Sequence, residues 1–117
     1  MGLGEEVKEV YDDLCERISL FPYRCCMFAA RAMHSLGYEI IAGSVELDNY
    51  CGSGKNHKIF HYWNYDPKSK SYFDITASQF NPMLKDSHLP EIAVWREEEL
   101  PSIYKIFKRN ISPCEVL

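Results

Sequence analysis

An α+β fold, with helices first and an antiparallel sheet after them, is predicted by three features of this chain of 117 residues. Apolar residues at a three-and-four spacing run to Phe21, a second and mostly apolar helical segment stops at Gly37, and beyond it β-branched and aromatic runs alternate with turn residues. With 46% hydrophobic and 26% charged residues, this length suits one domain over 1–117 and is too short for two.

The elements follow in order. Leu3, Val7, Val10, Leu14, Ile18 and Phe21 share one helical stripe, with acidic residues such as Glu5, Glu9 and Asp13 opposite. Phe21-Pro22 ends that helix, because proline disfavours helical geometry in the residue before it and brings no amide donor. A second helix is expected from about Arg24 to Leu36, with Arg31, His34 and Ser35 as its narrow polar face and Gly37 as a left-handed stop. Tyr38 to Leu47 reads as a strand kinked at Gly43, and "DNYCGSGKNH" as a loop. "KIFHYWNY" and "SYFDI", joined by the turn "DPKSK", should form an antiparallel hairpin. "EIAVW" is expected to be the last strand, and "LPSIYKIFKRN" a short helix with Ile103, Ile106 and Phe107 inward.

A formal charge of -4 and a pI near 5.5 argue against nucleic acid as a partner. The one basic cluster, Lys105, Lys108 and Arg109, falls where cations would suit the end of the final helix. Five cysteines without the density of a secreted disulfide scaffold fit a reducing compartment. The acidic start lacks a signal peptide's basic and apolar regions, and no apolar run approaches the roughly 20 residues of a membrane span. A soluble cytoplasmic protein, not bound to membrane, is the expectation. Met1-Gly2 does not make a myristoylation signal, since position 6 is Glu6.

The chemistry lies in "FPYRCCMF", "FHYWN" and "YFDITASQF". A thiol becomes a strong nucleophile as thiolate, a form favoured at a helix N-terminus beside an imidazolium. Cys25 and Cys26 fall in the first turn of the second helix, and His61 sits in an aromatic strand able to hold it rigidly. A tight hairpin register places Asp74 opposite His61 to within about one residue, where its carboxylate would accept the ring's second N–H and set the tautomer. Trp63 shares the His61 face by the period of two, and is expected to roof the pair, exclude water and contact substrate.

"CCMFAARAMHSLGYEIIAGSVEL", "HYWN" and "DITASQF" together resemble the pattern of transglutaminase-like, papain-fold cysteine hydrolases of bacteria and their viruses. The resemblance runs from about Arg24 to Phe80 and is most specific in its His-x-Trp and Asp-x-Thr-x-x-Gln-Phe parts. It implies a papain-like α+β fold, Cys26 or Cys25 as nucleophile, His61 as base, Asp74 as orienter, and a protein or peptide substrate. In similar sequences a Ser-Arg-Ala-Leu-His run begins four residues after the nucleophile. Here Ala30-Arg31-Ala32-Met33-His34 begins four after Cys26, which favours Cys26. Helical amphipathicity does not separate the two cysteines. An upstream papain-type glutamine has no counterpart, because Gln79 is the only glutamine.

Each residue taken singly has a plainer reading: a core cysteine, a satisfied strand histidine, an aspartate capping Thr76 or Ala77, and Gln79 and Phe80 anchoring the loop after the aspartate. Their coincidence in order favours a Cys-His-Asp triad that needs no cofactor or metal. Two other classes compete: a catalytically silent module of the same fold that captures a protein partner, and a zinc site using Cys51, His57 and His61, whose spacing matches no common pattern. "GSGK" lacks the spacing of a phosphate loop.

Overall fold

The computed structural model describes residues 4–48, 56–84 and 88–115. The first helix, α1, spans Glu5–Arg17 and buries Val7 and Tyr11, with Val10 and Leu14 partly covered on the same stripe. Glu5 and Glu6 lie in its first turn and Arg17 in its last, each where its charge suits the helix dipole. The Phe21-Pro22 segment separates it from α2, Cys26–His34, which is trimmed at both ends relative to the expected Arg24–Leu36. Gly37 then turns the chain at φ +101°, a backbone conformation that favours glycine. Ala29, Ala30 and Met33 form the buried face of α2.

The strands are β1 (Glu39–Leu47), β2 (His57–Asp66), β3 (Ser71–Asp74), β4 (Ala93–Arg96) and β5 (Tyr104–Ile111). They form a five-stranded sheet in the order β4-β3-β2-β1-β5, and every neighbouring pair is antiparallel. β1 pairs with β2 from Glu39 opposite Tyr65 to Leu47 opposite His57, without a break at Gly43. Its pairing with β5 shifts register between Ala42 and Gly43. The "DPKSK" turn is set by Asp66, whose carboxylate accepts the Lys68 amide (3.0 Å) and the Ser69 hydroxyl (2.8 Å).

The tail corrects two expectations. "EIAVW" supplies β4, which is a strand but not the last, and the segment expected as a helix is β5. Ile106 and Phe107 therefore do not face the core, and Phe107 is 64% exposed. The free edge of β1 offers a row of backbone donors and acceptors, and the β-branched and aromatic residues here pair with it more readily than they nucleate a short isolated helix. The basic cluster accordingly lies on an edge strand, where the Arg109 guanidinium stands 4.4 Å above the Tyr65 ring. The loop expected over 48–57 lies largely outside the described residues.

The sheet divides the interior. On one face α1 and α2 cover Ile40, Ala42, Tyr62 and Phe73. On the other, Ile41, Val45, Trp63 and Tyr104 pack beneath a 3-10 segment, Ala77–Met83, through Ala77 and Phe80. No helix among the described residues is long and apolar enough to cross a membrane.

Candidate functional site

His61 projects from β2 onto the face away from the helices and is almost completely buried. Opposite it in the ladder stands Gly43. A Cβ there would collide with the Lys105 carbonyl oxygen and lie 2.5 Å from the Trp63 ring, so the missing side chain lets β5 and the indole close in behind the imidazole.

Asp74 is the last residue of β3. Because Asn64 pairs with Phe73, Asp74 comes level with Trp63 and not with His61, one step further from the expected register. The two side chains nevertheless share a face and meet diagonally, His61 Nε2 lying 2.7 Å from Asp74 Oδ2. The same oxygen accepts the Tyr104 hydroxyl at 2.7 Å, while Oδ1 accepts the Thr76 amide and hydroxyl, each at 2.9 Å. The carboxylate is thus both the cap of the turn after β3 and the partner of the histidine.

Electrostatics follow from this enclosure. Burial alone would lower the His61 pKa, but the Asp74 charge and hydrogen bond, with a further contribution from the Cys26 thiol, raise it to about 9. Burial would likewise raise the Asp74 carboxyl, yet the imidazolium, Tyr104 and Thr76 hold it below the usual carboxylate value. Tyr104, pushed well above 10 by burial and then by Asp74, stays protonated and donates. At neutral pH the buried pair is therefore imidazolium and carboxylate.

Cys26 opens α2, half-buried, and its thiol is near enough to the imidazole to contribute to the raised His61 pKa. Since Nε2 is committed to Asp74, Nδ1 is the nitrogen left for the sulfur. Cys26 and His61 share the wall of a cleft of about 400 Å³. Cys25 instead is the residue before the helix, buried, with its thiol donating to the Tyr23 carbonyl at 3.1 Å. Burial, and then the neighbouring Cys26, push the Cys25 thiol up. Between the two cysteines, Cys26 alone faces the cleft.

The residues that tie this corner together were partly foreseen. Gln79 accepts the Arg24 amide at 3.3 Å, linking the 3-10 segment to the loop that delivers Cys26. Phe80 is buried and meets the imidazole edge-on, with centroids 4.8 Å apart. Trp63 takes a different position from the substrate contact expected of it: it is 1% exposed, forms no part of the cleft wall and stacks behind His61 at 5.9 Å. Tyr104 was missed, its hydroxyl being brought to Asp74 only because β5 is a strand. Cys51 lies outside the described residues, and among those described no three His, Cys, Asp or Glu side chains gather as a metal site.

No family model, curated protein or solved structure matches the chain.

Proposed function

We propose that this protein is a papain-like, transglutaminase-like cysteine hydrolase or acyl transferase, acting on an amide of a protein or peptide through Cys26, His61 and Asp74. The observation that carries the reading is the arrangement about one ring: a carboxylate fixed by three further donors on its Nε2 side, and a thiol at a helix start that lines the same cleft as the imidazole.

In this reaction the Cys26 sulfur attacks the amide carbon and forms a thioester. His61, held protonated by Asp74, gives its proton to the departing amine. We assign the backbone N–H of Cys26, at the start of α2, as a donor to the developing oxyanion. Water, deprotonated by the now neutral His61, then resolves the thioester in a peptidase, isopeptidase or deamidase. An amine does so in a transglutaminase.

Alkylation with iodoacetamide at mildly acidic pH, mapped by peptide mass spectrometry, tests the assignment. The expected result is rapid labelling confined to Cys26, and loss of that selectivity in His61→Ala. Slow, uniform labelling of all five cysteines of the chain would sink it.

A further inference from the structure

The walls of the cleft carry information about what sits beside the reacting amide. Apart from the reacting pair, Ile59, Phe60, Phe80, Met83 and Tyr23 supply most of the lining. Among the described residues Arg24 is the charged side chain at the rim, and no Asp or Glu of theirs belongs to the wall. Asp74 stands behind the imidazole, with both oxygens occupied.

Phe60 is the notable member. It is 56% exposed on a strand whose neighbours on either side, Ile59 and His61, are more covered, and its ring stacks nearly parallel on Phe107, with centroids 6.2 Å apart and 12° between planes. Tyr62 braces it edge-on at 5.0 Å. Exposed aromatic rings held in a fixed stack leave apolar surface in water, and rigid aromatic surface beside a cleft is what apolar groups bind. The stack continues the apolar surface from Phe60 on β2, which lines the cleft, across β1 to Phe107 on β5.

We propose that this wall is the seat for a large apolar, preferably aromatic, side chain on the acyl side of the amide, and that the cleft rejects a cationic side chain there. The inference rests on the cysteine hydrolase reading of the same site. The phenyl surface of Phe60 and the aliphatic surfaces of Ile59 and Met83 take up the apolar group. A cationic side chain finds no carboxylate partner among the described residues of that wall and meets the Arg24 guanidinium.

Two reagents with the same reactive group test this: N-tosyl-phenylalanine chloromethyl ketone and its lysine counterpart. Either forms a thioether between Cys26 Sγ and the reagent methylene as chloride leaves, so the ratio of their rates reports the side-chain seat and cancels the reactivity of the thiol. Covering about half of a phenyl group corresponds to about tenfold in rate, so the phenylalanine reagent should inactivate at least about tenfold faster. Phe60→Ser, and separately Phe107→Ser, should reduce that ratio severalfold, with thermal unfolding confirming that each exposed substitution leaves a folded protein. Equal rates for the two reagents, or a ratio untouched by both substitutions, would overturn the proposal. Failure of the underlying reading looks different, because Cys26 would then show no selective reaction even with iodoacetamide. In that event an NMR titration of Cys26→Ala with N-acetyl-phenylalaninamide and N-acetyl-lysinamide decides the seat alone: shifts at Phe60 and Met83 from the first and not the second support it, and no shifts from either refute it.

Discussion

Tyr104→Phe removes a single oxygen atom from the buried site and leaves the ring packing against Trp63 and Trp95 in place. The lost bond is a 2.7 Å hydroxyl contact to the ionised Asp74, in surroundings that exclude water. Hydrogen bonds to charged groups contribute about 1.5–3 kcal/mol, and Asp74 keeps three other donors, so a loss of about 2 kcal/mol is expected. With a urea dependence of about 1.5 kcal/mol/M for a domain of this size, the unfolding midpoint should fall by about 1.3 M. The assay is urea unfolding of the wild type, Tyr104→Phe, Asp74→Asn and the double variant, which together isolate the pairwise coupling. In the Asp74→Asn background the tyrosine change should cost well under half as much, because the acceptor no longer carries charge. Equal losses in the two backgrounds would show that the Tyr104 hydroxyl acts independently of the Asp74 charge and would remove it from the carboxylate's set of partners.

Other outcomes follow from the same geometry. The His61 pKa is raised from 6.5 to about 9, so its contribution of about 3 kcal/mol is fully present below pH 6.5 and disappears as pH rises through 9; the opposing shift of Asp74 reflects the same pair and is not added. Urea unfolding between pH 6 and 10 should show this alkaline loss in the wild type and not in His61→Gln, and a flat wild-type profile would contradict the charged pair. Gly43→Ala places a methyl group against the Lys105 carbonyl and the Trp63 ring and should cost on the order of 3 kcal/mol, read as a lowered thermal midpoint; a near-neutral result would mean that β1 and β5 are further apart. Cys25→Ala should retain one fast-alkylating thiol while Cys26→Ala loses it, and the opposite pattern would reassign the nucleophile.

The parts of this fold written locally were readable in the sequence. The α1 stripe, the Gly37 stop, the Asp66 turn and the β2–β3 hairpin each depend on residues a few positions apart. So did the His61–Asp74 pair, although the register differs by a step, because a diagonal contact on one face tolerates that error. The tail was not readable in this way. Over β5 only Tyr104 and Ile111 are buried, so there is no alternation to mark a strand, while Ile103, Ile106 and Phe107 imitate a helical spacing. What makes the segment a strand is the unpaired edge of β1, some 60 residues earlier in the chain, and that partner is visible only in three dimensions. The role of Tyr104 was hidden for the same reason. Trp63 misled differently: the period of two correctly gave the face it shares with His61, but not that this face is covered by the 3-10 segment, which puts the indole in the core.

The shortness of β3 connects fold to site. Its last paired residue is Asp74, and His61 lies beyond the final β2–β3 pair, on a stretch of β2 that has β1 on one side and no β3 ladder on the other. Into that vacancy come the start of α2 with Cys26 and the 3-10 segment with Gln79 and Phe80. Had β3 run on, its backbone would occupy the approach to the imidazole. What stops it is the turn at Ile75–Thr76, held by Asp74 Oδ1, while Oδ2 of the same carboxylate holds the ring. One side chain therefore ends the strand, opens the cleft and sets the histidine. Asp74→Ala removes all three at once and leaves a buried imidazolium without its counter-ion, a change that costs about 3–5 kcal/mol when one partner of a buried pair is deleted. A lowered urea midpoint, and not merely a slower reaction, is the consequence this geometry demands, and an unchanged midpoint would refute it.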